Sequence, residues 1–210
     1  RIDFEALQAL TGLVAGDAST DTLLQHAIAA DLSADEFSAF GEEAQDVQAV
    51  LTLKNGQLQA ERVAIGSLAG AQLAFSGRAS GDLDKPVVSA KMKLAAKNLT
   101  PFLEMIGRHA VNHPALRQLI KAGPYYSDTA FDVTLTAGNK EGNAPATFGI
   151  FGTANGTKIA ASYQAPDMAQ ALTGKAMLLE ATLENPETRL LLGQTGFDPL
   201  PFDADANGIL

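Results

Sequence analysis

The sequence predicts a mainly β fold: one long, twisted, mainly antiparallel sheet of repeated units with a few short helices, curling into an open apolar groove. Three observations predict it. Apolar and polar residues alternate with a period of two over several stretches, as in strands with one apolar face. Asn-Gly pairs at Asn55-Gly56 and Asn155-Gly156 separate such stretches, and this pair supplies the positive φ values of a tight hairpin turn. An order of turn, strand, long strand and short helix, beginning at Ala71, returns from Thr157 onward, an offset of about 86 residues on the scale of repeat architectures.

The expected organisation follows from that repeat. Residues 1–45 form the tail of a preceding unit, 46–107 a β unit, 108–145 a linking helix and long strand, and 146–210 a second unit and the start of the next. In the first segment Phe4, Leu7 and Leu10 share one helical face, and Asp17 to Thr22 reads as a polar loop. Leu23 to Phe40 fits a short helix followed by a strand through Ala30, Leu32 and Ala34.

Val47, Ala49, Leu51 and Leu53 then alternate with Gln48, Val50, Thr52 and Lys54. After the Asn55-Gly56 turn, Leu58 and Ala60 continue in one phase and Val63 and Ile65 in the other, which predicts a bulge near Glu61-Arg62. A turn at Gly66 and Gly70 leads to Ala71, Leu73, Phe75 and Gly77 on one face. Val87 to Asn98 is the clearest strand, with Val88, Ala90, Met92, Leu94 and Ala96 opposite Ser89, Lys91, Lys93 and Lys97. At about 3.3 Å per residue it spans roughly 40 Å. The lysine row is best explained as a solvated face that discourages edge pairing.

Thr100 as cap and Pro101 at the first position open a helix that Phe102, Leu103 and Ile106 pack and Gly107 ends. A second helix fits Pro114 to Ala122, stopped by Gly123-Pro124. Tyr125, Ser127, Thr129, Phe131, Val133, Leu135 and Ala137 line one face of another long strand. Phe148 and Ile150, then Ile159, Ala161 and Tyr163, flank the second Asn-Gly turn. Met177, Leu179, Ala181 and Leu183 predict a further long strand, and Asn185-Pro186 opens a helix through Leu190 to Leu192. A third unit is expected from Phe202.

Composition excludes several functions. The chain has 210 residues, no Cys and a net charge of -9. Disulfides and thiolate metal sites are therefore excluded, and nucleic-acid binding lacks the basic face it requires. No apolar run reaches the length of a membrane span. The chain opens without Met and stops in mid-pattern, so it is expected to be a piece of a longer protein.

The chemical motifs have structural explanations. His109 and His113 are spaced for a shared metal on one helix, but Pro114 opposes a helix through them. Asp203, Asp205, Asn207 and Gly208 match half of a calcium loop, and they fit a strand and turn better. Gly149 to Lys158 lacks the spacing of a phosphate loop. Asn98-Leu99-Thr100 and Asn155-Gly156-Thr157 fit the glycosylation pattern, but a cap and a turn explain them. Neither a nucleophile motif nor a catalytic carboxylate pair stands out, and the chain is expected to be neither an enzyme nor a cofactor carrier.

Three runs carry a family resemblance: Ala44-Gln-Asp-Val-Gln-Ala-Val-Leu-Thr-Leu-Lys-Asn-Gly-Gln-Leu58, Gly70-Ala-Gln-Leu-Ala-Phe-Ser-Gly77, and Lys91-Met-Lys-Leu-Ala-Ala-Lys-Asn-Leu99 leading into a short helix. Asn155-Gly-Thr-Lys-Ile-Ala-Ala-Ser162 matches more weakly. The stretch from Leu32 to Gly107 resembles the repeat region of the AsmA family of Gram-negative envelope proteins. The resemblance implies a periplasmic protein anchored in the inner membrane by a part outside this sequence. It implies an apolar β-groove that helps phospholipid reach the outer membrane and supports outer-membrane biogenesis. Phospholipid acyl chains and neighbouring repeat units of the same chain are the implied partners. It supplies no catalytic residues.

The groove candidates are Val47, Leu51, Leu53, Leu73, Phe75, Val88, Met92, Leu94, Phe131, Val133, Leu135, Ile159, Met177 and Leu179. Two other classes compete with conduction. One is an ordinary closed core. The other is a structural or adhesive β-repeat, such as a surface passenger or an assembly factor for outer-membrane proteins, which would use the polar face with Lys91, Lys93, Lys97 and Asp132.

Overall fold

A computed structural model describes residues 2–3, 27–39, 41–81, 87–109, 113–138, 145–174, 176–196 and 208–209. They form one open sheet of eleven strands whose spatial order is the chain order. The strands are β1 (Ile2–Asp3), β2 (Ile28–Ala39), β3 (Glu42–Lys54), β4 (Gln57–Leu68), β5 (Ala71–Ser80) and β6 (Val87–Asn98). Two helices follow, α1 (Thr100–His109) and α2 (Pro114–Ala122). Then come β7 (Ser127–Ala137), β8 (Ala146–Ala154), β9 (Thr157–Ala165), α3 (Met168–Thr173), β10 (Leu178–Asn185), α4 (Thr188–Gln194) and β11 (Gly208–Ile209). Every neighbouring pair from β2 to β11 is antiparallel, and β1 joins β2 in parallel. The sheet is not closed into a barrel.

Local chemistry sets most of these bounds. Both Asn-Gly pairs turn with positive φ, 51° and 69° at Asn55-Gly56, 49° and 76° at Asn155-Gly156. The predicted bulge is present: Val50 faces Arg62 while Leu51 faces Ala60, so Glu61 is the extra residue. Strand β6 has the predicted ends, as does α2.

Other boundaries differ. Gly66 lies inside β4, and the turn is made by Ala69 and Gly70 at φ 48° and 81°. Gly66 faces Asp46, where a Cβ would come within 2.7 Å of the Asp46 Cβ, so its missing side chain serves packing and not turning. Likewise Gly107 does not end α1, which runs on to His109. A Cβ there would lie 2.6 Å from Ile120 Cδ1, so Gly107 lets α1 and α2 approach closely. Thr100 is already helical, and its N–H is satisfied by Asn98 Oδ1 at 3.0 Å.

A 3-10 turn at Gly123–Tyr125 delays β7 to Ser127. Strand β10 is short, with 8 residues, and Met177 precedes it. Helix α3 lies between β9 and β10, in a stretch that alternation does not mark. Asp167 caps it through Gln170 N at 2.7 Å, and Gly174 closes it at φ 62°. Of the unit expected from Phe202, residues 202–207 lie outside the described residues and Gly208–Ile209 form β11. The expected helix around Phe4 to Leu10, the loop at Asp17 to Thr22, and residues 23–26 of the next expected helix lie outside the described residues as well. The first part of that region that is described, from Ile28, is already strand.

Candidate apolar trough

Strand register brings the predicted apolar residues onto one face in adjoining rows. One row crosses the sheet as Ala34, Val47, Ile65, Leu73, Leu94, Phe131, Gly152, Ile159 and Leu183. The next is Leu32, Ala49, Val63, Phe75, Met92, Val133, Ile150, Ala161 and Ala181. A third is Ala30, Leu51, Ala60, Gly77, Ala90, Leu135, Phe148, Tyr163 and Leu179. Leu53 and Val88 lie one step further along, paired with Leu58 and Ala137. Of the fourteen sequence candidates only Met177 falls outside the strands, 39% exposed just before β10.

Helices cover the two ends of this face from β5 onward. At one end Phe102, Leu103 and Met105 of α1, Ala122 of α2 and Leu191 of α4 bury Leu73, Leu94, Ile159 and Leu183. Phe131 and Met92 pack half-buried against that cluster, together with Leu119 and Ile120 of α2. At the other end Ala171 of α3 is buried with Ala137, Ala146 and Ala165, and Val88, Phe148, Tyr163 and Met168 flank them. Between the two clusters Val133, Leu135 and Ile150 are only half-buried.

Toward β2, exposure varies, and Val63 and Ala49 are buried. Val47, Leu51 and Leu53 are half-buried, Phe75 is 36% exposed, Leu32 44% and Leu58 46%. At the far side Leu179 is 53% exposed. Partly exposed apolar residues in adjoining rows make an apolar surface among the described residues, whose further burial would be favourable by about 25 cal/mol per Å².

Three groups of polar contacts, around Gln194, Glu42 and His113, hold the helical cover. Tyr126 donates its hydroxyl to Gln194 O at 3.0 Å, and buried Gln194 donates Nε2 to Ala154 O at 3.1 Å and Tyr125 O at 3.2 Å. Burial pushes the Tyr126 hydroxyl up to about 12. Glu42 at the start of β3 accepts from Arg108 at 2.7 Å and pairs with His109 Nε2 at 3.1 Å, which ties the end of α1 to β3. Those two partners hold the Glu42 carboxyl below the usual range, the Arg108 hydrogen bond most strongly. His113 caps α2, accepting from Leu116 N at 3.3 Å, and meets Tyr163 and Ala171. Sequence spacing suggested a histidine pair at 109 and 113. The structure assigns the two residues to separate contacts, and among the described residues no cluster fit for a metal is present.

The opposite face carries the predicted polar row. Lys93 pairs with Asp132 across the strands at 3.0 Å, both well exposed. A shallow hollow of about 790 Å³ opens around Asp132, Thr134, Gly149, Phe151, Ser162 and Glu180. Phe151 is 69% exposed there, an apolar residue that the alternating pattern did not single out. No described helix is long and apolar enough to cross a membrane.

No protein-family model matches this chain, and no curated protein or solved structure matches it either.

Proposed function

We propose that this chain is a segment of an envelope lipid-transfer protein of the AsmA kind, and that its apolar sheet face holds phospholipid acyl chains on their way toward the outer membrane. The observation that carries the reading is the set of apolar residues left half-buried or exposed, Leu51, Phe75, Met92 and Val133, in adjoining rows. Nine strands spaced about 4.8 Å apart make a face roughly 38 Å across, longer than one acyl chain. Exposing an acyl chain of about sixteen carbons to water costs on the order of 12 kcal/mol. A continuous apolar face offsets much of that cost. Hydrophobic contact has no preferred direction, so a chain can slide along such a face. The family resemblance in Ala44 to Leu99 supports the periplasmic setting and the lipid class.

A second reading is a structural β-scaffold without conduction. The burial of Leu73, Leu94, Ile159 and Leu183 under α1, α2 and α4 favours it, since this much of the face already has a cover. Photocrosslinking side chains at Leu51 and Phe75, with Ser76 on the other face as control, separate the two in cells. Phospholipid adducts at 51 and 75 but not at 76 are expected. Absence of adducts at both positions would leave the scaffold.

A further inference from the structure

His113 uses both ring nitrogens. Nδ1 lies 3.3 Å from Leu116 N, whose N–H can only donate, so Nδ1 must offer its lone pair. Nε2 lies 3.1 Å from Ala171 O, which can only accept, so Nε2 carries the proton. Tyr163 donates its hydroxyl to the same carbonyl at 2.8 Å, and its oxygen lies 3.2 Å from Nε2 as a shared acceptor. The network therefore assigns one neutral tautomer. It joins the start of α2, the end of α3 and β9 at a single ring. Gly174 belongs to the arrangement: a Cβ there would lie 2.7 Å from Pro114 Cδ and 3.2 Å from the imidazole.

A second proton on the ring has one place to go, Nδ1, where it would point at the N–H of Leu116. The cap bond is then lost and two donors face each other. We propose that His113 is a proton-operated latch, which pins the start of α2 to α3 and β9 and releases the α2 cap when the ring is protonated, while Nε2 keeps its bond to Ala171 O.

The neighbouring groups leave His113 as the one that switches. Tyr163, from β9, is held above the usual phenol range by burial and stays protonated in acid. Asp167, at the start of α3, is held low by its hydrogen bonds to Gln170 and stays ionised through mild acid. Arg117 lies on the first turn of α2. Imidazole is the side chain that ordinarily changes charge between about pH 5 and 8. Loosening of the α2 cap would act next to Phe148 and Tyr163, which pack edge-on with ring centroids 5.6 Å apart beside Ala165 and Met168. The consequence for lipid rests on the acyl-chain role proposed above, while the latch itself does not.

Amide hydrogen exchange of the whole chain between pH 7.5 and 5.5, corrected for intrinsic rates, tests the latch. In the natural protein, protection at Leu116 should fall about tenfold on acidification, the loss of one hydrogen bond, while α3 keeps its protection. In His113→Gln, whose carboxamide can accept and donate without titrating, protection should not change with pH. Unchanged protection in the natural protein, or an equal fall in the variant, overturns the proposal. Should the variant not fold, NMR titration of the His113 ring in the natural protein decides: a Leu116 amide shift that ignores ring protonation overturns the latch, and one that follows it supports it. A photocrosslinker at Phe148 reports separately on lipid. If exchange follows pH while lipid is captured at no pH, the latch stands and the lipid role fails.

Discussion

Tyr126 and Gln194, 68 residues apart in sequence, meet in the buried end of the molecule, where the Tyr126 hydroxyl donates to the Gln194 carbonyl at 3.0 Å. One bond thus joins the start of β7 to the end of α4 and seats the helices over the sheet. Tyr126→Phe should lower unfolding free energy by about 1–3 kcal/mol, because it leaves a buried carbonyl without its donor. Urea denaturation measures this, and a midpoint equal to that of the natural protein would refute it.

The same tyrosine predicts sensitivity to base. Its folded value of about 12 lies above the ordinary 10, so the folded state holds the proton more tightly. That contribution is complete below pH 10 and is lost as pH rises toward 12. Two units correspond to roughly 2–3 kcal/mol. Thermal melts of the natural protein should fall between pH 10 and 12, and those of Tyr126→Phe should fall less.

Glu42 predicts the opposite direction. Its carboxyl is held low by Arg108 and His109, so its contribution is present above the ordinary carboxylate range and fades as pH drops through the folded value. The group sits at the surface, so the global effect is small. Glu42→Gln should leave the melting temperature nearly unchanged and speed amide exchange in the last turn of α1. Equal exchange in both proteins would show that the contact does not hold that turn.

Gly152 sits in β8 at φ 156°, and a Cβ there would run into the Ala130 carbonyl of β7. Backbone cannot yield as a flexible side chain can. Gly152→Ala should cost more than about 3 kcal/mol, at the upper end of single substitutions. Gly107→Ala should cost less, since it meets only the tip of Ile120. Denaturation of the two variants side by side checks the order.

Asn155→Ala should cost about 1 kcal/mol, because alanine is strained at the φ of 49° that asparagine tolerates there. A stability equal to that of the natural protein would show that the turn is held by its strands alone.

Local backbone chemistry made much of this molecule legible. Alternation from Val87 to Asn98 is enough for β6, since a period of two permits only a strand with one apolar face. The Asn-Gly turns and the Pro114 to Ala122 helix are equally local, because the residues that end them carry their own φ preferences. Asp167 and Gly174 were also readable as the caps of α3, a signal in the sequence that alternation alone does not weigh. The apolar candidates fell into adjoining rows because register follows from the turns and bulges.

What the chain could not declare depends on distant neighbours. Ala69 turns at φ 48° with no local mark of it, held by the pairing of β4 and β5. Gly66 and Gly107 read as breaks but serve close packing against Asp46 and Ile120, residues far from them in sequence. Which apolar residues are covered was likewise decided in three dimensions. Leu73 and Leu94 are buried while Phe75 and Leu51, in adjoining rows of the same face, are not, because the described helices cover the ends of the face. Periodicity specifies the face a side chain points to, since the backbone repeat sets it. Burial depends on what packs there, and that is set by contacts between residues remote in the chain.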